Sequence, residues 1–318
     1  HPLTVQSSTG CLWGLGRPLR LNSAMGCNLP LMVVVLGPTA SGKTALGIAL
    51  AQRLNCRVLS VDSRQVYRGM DIGTAKATPQ EQQQAIHELL DLSTPDKPLN
   101  LQQFCARATP LIATEQTAGR PALLVGGSGL YLQALCQGLR PPALPPQPWL
   151  RQQLEQLGQA QCHQLLQQAD PHAAARVHPA DGVRTQRGLE VLYGTGRTLS
   201  SQQGRRPPHG RVLELGLNPP DLRERIAKRT AELYRRGLVA ETDRLAQQYG
   251  RELPLLQTIG YGEALGVLEG RHSNAEAQAI TERRTWLFVK RQQYIFQFLR
   301  VRIVYSLLAQ NFNVVTIR

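Results

Sequence analysis

The sequence predicts an α/β protein with a parallel sheet core, an inserted helical domain and a largely helical C-terminal half. Three observations support this fold class. Short apolar segments of strand length alternate with helical segments in the first half of the chain, as they do in parallel sheets. A proline-rich stretch from Pro141 to Pro148 then interrupts the pattern, and the residues after Pro220 are mostly helical in character.

The predicted elements follow in order from residue 31. The apolar segment at 31–36 has the length of a buried parallel strand, and a glycine-rich turn and a helix ending at Leu54 follow it. Further strands are predicted at 57–61, 121–125 and 211–217, and further helices at about 80–90 and 101–118. Strands that alternate with helices in this way favour a parallel sheet.

The predicted domain boundaries follow breaks in composition. The core comprises residues 31–140 and 206–318, and the helical insert, which is rich in Gln, Leu and Arg, comprises residues 141–205. Residues 1–30 mix Gly, Ser, Pro and Leu without periodicity, so we expect a disordered extension there, with a targeting leader as the alternative.

The composition restricts the class of partner and the compartment. Lys and Arg number 36 against 22 Asp and Glu, a formal charge of +14 that indicates a polyanionic partner such as nucleic acid. No apolar segment approaches the roughly 18 residues that cross a bilayer, so we expect no membrane insertion. The six cysteines form no C-x-x-C pair, which disfavours a zinc site or disulfides and favours a reducing, cytoplasmic compartment.

A phosphate-binding loop occupies the turn after the first strand. The segment matches G-x-x-x-x-G-K-[ST] and consists of Gly37, Pro38, Thr39, Ala40, Ser41, Gly42, Lys43 and Thr44. Its glycines let backbone N–H groups approach phosphate oxygens, Lys43 adds positive charge, and the Thr44 hydroxyl is placed to ligate Mg²⁺. The core is therefore predicted to be P-loop NTPase-like and to bind a ligand that contains diphosphate.

The acidic residues near this loop do not match those of a hydrolase. Nucleotide hydrolases add a strand that ends in an acid near the metal, but the strand at 121–125 runs into Gly-Gly-Ser. Asp62 instead follows the strand at 57–61, which we expect to lie beside the first strand, so that Asp62 reaches the ligand-binding edge. Asp62 is either a general base for an attacking nucleophile or the cap of a following helix, in a capping-box spacing with Gln65.

Seven segments, taken together, carry a resemblance to a known family. They lie at 37–44, 60–63, 66–76, 124–131, 187–191, 259–261 and 290–292. The run from Asp62 through Lys76 is especially specific. In this order the segments resemble the tRNA dimethylallyltransferases, also called tRNA isopentenyltransferases, of the bacterial type.

The resemblance implies transfer of the dimethylallyl group from dimethylallyl diphosphate to N6 of the adenosine 3′-adjacent to the anticodon in tRNA. Diphosphate is then the leaving group, which explains why no acid is needed to activate water. Lys43, Arg229, the loop N–H groups and Mg²⁺ would stabilise the departing charge. On the same resemblance Asp62 becomes the favoured general base, which accepts a proton from the adenine amine.

The resemblance also implies contacts to the anticodon stem-loop, whose target base must leave its stack to reach the prenyl carbon. The implied residues are Asp62, Ser63, Arg64, Gln65, Ser128, Arg151, Val183, Arg184, Thr185, Gln186, Arg187, Gln257, Thr258, Ile259, Gly260, Tyr261 and Gly262. The arginines among them suit phosphate or stacked-base contacts. The residues that flank 290–292 depart from the family pattern, which leaves the contacts of this tail open.

Two other classes of function remain open. A P-loop kinase for a small molecule would transfer phosphate from ATP, but the specific stretch at 62–76 and the basic helical insert disfavour it. An RNA-binding module with a degenerate phosphate loop is disfavoured by the intact Gly42, Lys43 and Thr44. Turnover by the purified protein distinguishes these classes, and we expect a monomeric enzyme.

Overall fold

The structure of the protein is a computed structural model, which describes residues 30–142, 144–298 and 303–304. The strands in this part of the chain are β1 (Leu31–Leu36), β2 (Val58–Val61), β3 (His87–Glu88), β4 (Ala122–Gly126), β5 (Leu139–Arg140), β6 (Gly204–Arg205), β7 (Arg211–Leu217) and β8 (Ile303–Val304). Six of these described strands form a parallel sheet in the order β3-β2-β4-β1-β7-β8. The other two, β5 and β6, form an antiparallel pair.

Helices connect and cover the strands. In chain order, the described helices are α1 (Lys43–Leu54), α2 (Pro79–Gln84), α3 (Leu101–Thr117), α4 (Gly129–Gln137), α5 (Pro148–Leu157), α6 (Gln159–Ala169), α7 (Pro171–Ala174), α8 (Gly182–Thr195), α9 (Leu199–Gln202), α10 (Leu222–Arg235), α11 (Leu238–Tyr249), α12 (Tyr261–Leu268) and α13 (Asn274–Phe298). A 3₁₀ turn at Pro254–Gln257 precedes α12. The predicted fold class, a parallel α/β core with an inserted helical domain and a largely helical C-terminal half, is confirmed.

The sheet is buried on both faces because successive side chains of its strands point to opposite sides. On one face Val34 of β1 shares a cluster with Phe104 of α3. On the other face Val35 shares a cluster with Leu46 of α1. This burial on both faces is why the central strands consist of continuous apolar residues, and why they could be predicted from the sequence.

Residues 80–90 are not one helix, contrary to the prediction. The helix α2 begins with a capping box between Thr78 and Glu81, but none of its residues is buried, so no apolar face holds a longer helix. Ala85 is extended, and β3 pairs with Val58 and Leu59 at the edge of the sheet. Pairing with a buried strand therefore outweighs the local helix propensity of this Gln-rich segment.

The position of β2 also differs from the prediction. We expected β2 to lie beside β1, but β4 lies between them and pairs with both. The helix α1 covers this part of the sheet, since its Leu46 and Ala51 share a cluster with Leu123 and Val125 of β4. The β1–α1–β2 connection therefore crosses over β4, and Asp62 still lies at the carboxyl edge because these strands are all parallel.

The helical insert has a hydrophobic core of its own. Leu150 and Leu154 of α5, Leu166 of α6 and Leu189 of α8 form one buried cluster. The pair β5–β6 joins the chain segments that enter and leave this unit. The exact boundaries 141–205, and a role of this unit in binding tRNA, remain predictions.

The predicted extension at 1–30 lies outside the described residues except for Pro30. The carbonyl of Pro30 accepts a hydrogen bond from the backbone N–H of Arg211 at the start of β7. In the described part of the chain, no helix combines the length and the apolar character that crossing a bilayer requires.

Candidate active site

The phosphate loop connects β1 to α1 at the carboxyl edge of the sheet. Gly42 precedes α1 with a φ of 93°, a left-handed conformation that favours glycine. The free N–H groups of the first helical turn therefore face the loop, as in other anion-binding helix termini. Behind the loop, Ala40 packs against Ile226 of α10 and Val289 of α13. Two helices of the C-terminal half thus support the phosphate loop.

Lys43 is the central cation of the loop. Its Nζ donates hydrogen bonds to the carbonyl oxygens of Gly37 at 2.9 Å and Pro38 at 2.7 Å. Burial and, secondarily, the charge of Arg229 lower the pKa of Lys43 to about 7, although the carboxylate of Asp62 acts in the opposite direction. An anionic ligand would stabilise the ammonium form and so raise this pKa again.

The three predicted catalytic residues lie close enough to influence one another's charge. Burial lowers the pKa of Arg229, and the carboxylate of Asp62 raises it, as it does for Lys43. Arg229 lies on α10, Lys43 begins α1, and Asp62 follows β2, so three separate elements converge at this point. Two cations beside one carboxylate suit an anionic ligand that reacts next to a proton acceptor.

Asp62 shapes its own turn and keeps one oxygen available. Its Oδ1 accepts hydrogen bonds from the backbone N–H groups of Arg64 at 2.7 Å and Gln65 at 3.3 Å. Its Oδ2 makes no hydrogen bond to any residue that the structure describes. A turn rather than a helix follows, and the Gln65 side chain accepts from Ser60 Oγ at 3.0 Å, so the capping-box interpretation is wrong.

A cavity of about 50 Å³ opens beside these groups. Lys43, Thr44 and Asp62 contribute its polar lining, and Val58 and Val125 contribute apolar lining. The other lining residues are Ser60, Gln65, Ala77, His87 and Gly126. The Thr44 hydroxyl makes no hydrogen bond within the described residues and is therefore available to a ligand or an ion. The volume is enough for several water molecules, or for a small part of a ligand.

The turn between β4 and α4 lies between the phosphate loop and the Asp62 turn, because β4 pairs with both β1 and β2. Ser128 Oγ accepts a hydrogen bond from the backbone N–H of Ser63 at 2.9 Å, and the backbone N–H of Ser128 donates to Val61. The predicted tRNA residues at 62–65 and Ser128 thus lie together. Arg64 is exposed beside them, whereas the Gln65 amide is held by the carbonyls of the 74–75 turn.

A buried carboxylate holds the segment at 71–73. Glu241 accepts hydrogen bonds from the backbone N–H groups of Asp71, Ile72 and Gly73, and from the hydroxyl of Tyr261 at 2.7 Å. A Cβ on Gly73 would lie 2.4 Å from the Tyr261 ring, so glycine is required there. Burial, then the charge of Glu241, raises the pKa of Tyr261, which therefore stays a hydrogen-bond donor.

The segment at 257–262 begins at the end of the 3₁₀ turn and runs into the first residues of α12. Gln257 is exposed, Thr258, Ile259 and Gly262 are half-buried, and Gly260 and Tyr261 are buried. The backbone N–H of Gly260 donates to Glu263 at 2.7 Å, and Glu263 also binds Arg284. In this structure Gln257 is therefore the most accessible of the predicted tRNA residues of this segment, and Tyr261 supports it from within.

The predicted tRNA residues of the insert fall into two groups. Val183 and Arg184 are exposed, whereas Gln186 is half-buried and Thr185 is fully buried. Arg151 and Arg187 instead bind one carboxylate: Arg151 donates to both oxygens of the buried Glu190, at 2.9 and 3.0 Å, and Arg187 donates at 2.7 Å. The Arg151 guanidinium therefore joins α5 to α8, whereas Arg187 lies on α8 like Glu190 and also donates to the carbonyl of Leu144 ahead of α5.

Glu190 is a structural acid that the sequence analysis did not assign. Burial by itself raises the pKa of Glu190, but hydrogen bonds from Arg151, the backbone of Gln147 and Arg187 hold it at about 2. Glu190 is thus ionised at neutral pH inside the insert. The spacing of Arg187 and Glu190, three residues apart on α8, was the available signal for this ion pair.

Gln292 of α13 is a residue of the site that the sequence analysis left without a role. Its Oε1 accepts a hydrogen bond from the backbone N–H of Thr39 at 3.0 Å, and its Nε2 donates to the carbonyl of Gly127 at 3.3 Å. The N–H of Thr39 is one of the loop donors assigned to diphosphate, so this donor is already used in the structure. In the sequence, only the resemblance at 290–292 pointed to Gln292, and it did not indicate which residues Gln292 contacts.

The fold and the site together define a class of protein, an α/β P-loop protein whose phosphate loop lies beside a carboxylate. Nucleotide hydrolases carry an acid at the end of the strand that corresponds to β4, whereas β4 of this chain ends without one. Residues 65–298 match the model of the family described as IPP transferase. The chain belongs to this family and is accordingly an enzyme, a prenyl-transferring transferase.

Relatives and solved structures agree with this membership. The chain is 75% identical over 268 residues to a tRNA dimethylallyltransferase of Synechococcus sp. (strain RCC307), covering 84% of this chain and 90% of the relative. It is 58% identical over 272 residues to that of Synechococcus sp. (strain CC9311), covering 86% and 88%. The full-length tRNA isopentenylpyrophosphate transferase of Bacillus halodurans superposes with a TM-score of 0.61 at 34% identity, covering 87% and 89%. A eukaryotic dimethylallyltransferase acting on tRNA superposes at 0.72 with 26% identity, covering 87% and 73%.

Proposed function

We propose that the protein transfers the dimethylallyl group from dimethylallyl diphosphate to N6 of the adenosine 3′-adjacent to the anticodon in tRNA, releasing diphosphate. The observation that carries the proposal is the convergence of Lys43, Arg229 and Asp62 at one edge of the sheet. The close relatives named tRNA dimethylallyltransferase support the choice of substrates. Because tRNA is the proposed acceptor, a cytoplasmic location is part of the proposal.

The diphosphate is proposed to bind at residues 37–44. The N–H groups of the loop, apart from that of Thr39 which binds Gln292, and those of the first turn of α1 donate to its oxygens, and Lys43 exchanges its two loop carbonyls for the ligand. Arg229 approaches from α10 and neutralises charge that grows as the diphosphate departs. The buried hydroxyl of Ser41, which has no partner among the described residues, lies within the same loop.

A divalent cation fits the residues present. The Thr44 hydroxyl lines the cavity next to Asp62 and has no described partner, and no group of three or more acidic, His or Cys side chains competes for a metal among the described residues. Mg²⁺ characteristically binds through one or two protein oxygens together with phosphate oxygens and water. Thr44 and the diphosphate would hold Mg²⁺, which supplies neutralising charge to the leaving group when bound.

Asp62 is proposed to accept the proton. The exocyclic amine of adenine is a weak nucleophile, so it gains from a base that takes its proton while the N6–C1 bond forms and the C1–O bond to diphosphate breaks. The Oδ2 oxygen is available, since the turn uses only Oδ1. Lys43 and Arg229 neutralise the departing diphosphate, which carries the electron pair of the broken C1–O bond away.

The tRNA is proposed to reach this edge with its target base out of the stack. The exposed Arg64, Arg184 and Gln257 are the accessible members of the predicted contact set. The helical insert at 141–205 is proposed to contact the anticodon stem-loop. The solved neighbour described as acting on tRNA supports this assignment of the partner.

Product analysis tests the proposal. Purified protein, incubated with dimethylallyl diphosphate, Mg²⁺ and unmodified tRNA bearing adenosine at the acceptor position, is expected to yield N6-prenylated adenosine in nuclease digests. Transfer of phosphate from ATP in place of this product would support the kinase class instead. Binding of tRNA without any turnover would support the RNA-binding class.

The variant Asp62→Asn tests the role of Asp62 as a base while keeping its role in the turn. Its amide oxygen still accepts the N–H groups of Arg64 and Gln65, but it cannot take a proton. Turnover is expected to fall by roughly 10²- to 10⁴-fold while tRNA affinity stays within about tenfold. The control is Asp96→Asn, an exposed aspartate, which should leave both unchanged. An equal loss of affinity and turnover would return Asp62 to a purely structural role.

A further inference from the structure

Gln292 occupies a gap between two loops of the site. It lies on α13, close to the far end of the described chain, and is only 8% exposed. One end of its amide accepts from the phosphate loop at Thr39, and the other end donates to the β4–α4 turn at Gly127. The acceptor oxygen and the donor nitrogen of the amide therefore each bind one loop, so that the amide joins the two.

The contact at Gly127 continues toward Asp62. The residue after Gly127 is Ser128, whose Oγ accepts the backbone N–H of Ser63 at 2.9 Å. Ser63 directly follows Asp62. A continuous series of short contacts therefore connects the phosphate loop, through Gln292 and Ser128, to the residue next to the proposed base.

The space around Gly127 suits this contact. A Cβ on Gly127 would lie 3.0 Å from Gln292 Nε2 and 3.4 Å from the carbonyl oxygen of Gly37. The side chain of Lys43 lies 3.9 Å from the same point. Below, Val289 on the preceding turn of α13 packs in a cluster with Ala40 of the phosphate loop. The helix thus fixes Gln292 by packing, and the absence of a side chain at 127 lets the amide approach.

We propose that Gln292 is a positioning residue that sets the separation between the diphosphate at the phosphate loop and the proton acceptor Asp62. This inference rests on the proposed function, since it assumes that diphosphate and base act on one substrate pair. Each loop can bind its own ligand without Gln292, but the two hydrogen bonds that fix the distance between the loops are then lost. Small errors in the alignment of reacting groups slow a reaction much more than they weaken binding.

The variant Gln292→Met tests this role, because Met fills a similar volume without either hydrogen bond. We expect kcat to fall by about 10- to 100-fold, while KM for dimethylallyl diphosphate and for tRNA changes by less than about threefold. The matched control is Gln293→Met, which removes the adjacent hydrogen bond of the same helix to Asn218 and should retain kcat within about twofold.

A second readout does not depend on turnover. Hydrogen exchange at the amide of Thr39 is expected to accelerate in Gln292→Met and to stay unchanged in Gln293→Met. The shorter variant Gln292→Asn keeps the same chemical groups but cannot span both loops, so its kcat should fall between wild type and Gln292→Met.

Each contrary result has a distinct meaning. Equal losses of kcat in Gln292→Met and Gln293→Met would reduce the role to stability of α13, and an unchanged kcat in Gln292→Met would overturn the inference. A raised KM for dimethylallyl diphosphate at constant kcat would also overturn it, because the residue would then serve binding alone. A wild-type protein that forms no prenylated product overturns the proposed function itself.

Discussion

Lys43 holds its proton less firmly than an exposed lysine. Burial, assisted by Arg229, brings its pKa to about 7, while its ordinary value is 10.5. A bound diphosphate places negative charge against Nζ and raises the pKa, so the ligand binds the protonated form more tightly. Affinity for diphosphate is therefore highest below pH 7 and falls as the pH rises through 7 toward the pKa of the complex.

We predict this pH dependence for the binding of inorganic diphosphate with Mg²⁺, measured by calorimetry between pH 6 and about 9. Between these limits the affinity of the wild type should fall more steeply with pH than that of Lys43→Met, which has no titrating group at this position. Diphosphate itself titrates in the same way in both experiments, so subtracting one curve from the other removes its contribution to the pH dependence of the affinity. Parallel curves would show that the pKa of Lys43 is not close to 7.

The residues of the site differ in how far the sequence could predict them. The phosphate loop could be predicted because its chemistry is local and its motif is contiguous. Asp62 could be placed at the sheet edge by its strand, but its two hydrogen bonds and its free oxygen depend on a turn that no motif describes. Gln292 could not be predicted as a partner of Thr39, because the two are 253 residues apart and a single polar contact leaves no periodic pattern.

At the scale of elements, the insert depends on one carboxylate. Glu190 of α8 is fully buried and receives both Arg151 of α5 and Arg187, whose guanidinium also donates to the carbonyl of Leu144 in the segment that leads into α5. A single side chain thereby fixes two helices and the segment that enters the insert. Because the arginines are partly exposed, water weakens their ion pairs, and most of the stabilisation lies in the hydrogen bonds to the buried oxygens.

We predict that Glu190→Gln lowers the free energy of unfolding at pH 7 by about 2 kcal/mol, measured by urea denaturation. The lowered pKa means that the stabilisation is fully present above the ordinary glutamate pKa of 4.5 and is lost as the pH falls toward 2. The difference between wild type and variant should therefore shrink between pH 5 and about 2. Glu155→Gln, an exposed glutamate of α5, serves as the control and should change little.

Elements were predictable where burial makes their pattern unambiguous. The strand β1 occurs at the predicted residues because its apolar side chains alternate between two buried faces. The strand β7 also occurs as predicted, because its leucines recur at every second residue and pack in one cluster. The helix predicted at 80–90 ends at Gln84, because β3 is set by its pairing with β2, a contact between chain segments that local propensity does not contain. The expectation that β2 lies beside β1 was wrong for the same reason, since β4 pairs with both strands and connects distant parts of the chain.

At the scale of the whole molecule, the charge of +14 now has two proposed anionic partners. One is the diphosphate at Lys43 and Arg229, and the other is tRNA, which carries far more charge. The tRNA term is expected to dominate the salt dependence, because binding to phosphates releases counterions. Arg184 is a suitable probe, since it is exposed on the insert and pairs only loosely with Asp181, at 3.5 Å.

We predict that Arg184→Gln weakens tRNA binding by roughly three- to tenfold at moderate salt and reduces the slope of log affinity against log salt by about one unit. The KM for dimethylallyl diphosphate should stay unchanged. Filter binding across a salt series measures both quantities. Arg107→Gln on α3 changes the net charge equally and serves as the control, and an identical loss in both variants would show that net charge alone, not the insert, attracts tRNA.

The contact between Thr39 and Gln292 also has a consequence for biosynthesis. The phosphate loop leaves the ribosome 253 residues before the helix that joins it to the β4–α4 turn. At synthesis rates of about 5–20 residues per second, the delay is on the order of 10–50 s. For most of that interval β1 lacks its neighbour β7 and the loop lacks α10, and until the end of the interval the loop lacks α13. A nascent chain therefore contains the phosphate-binding motif long before it can catalyse. Premature termination upstream of α13 would release a protein that has this motif but lacks the helix that joins the two loops of the site.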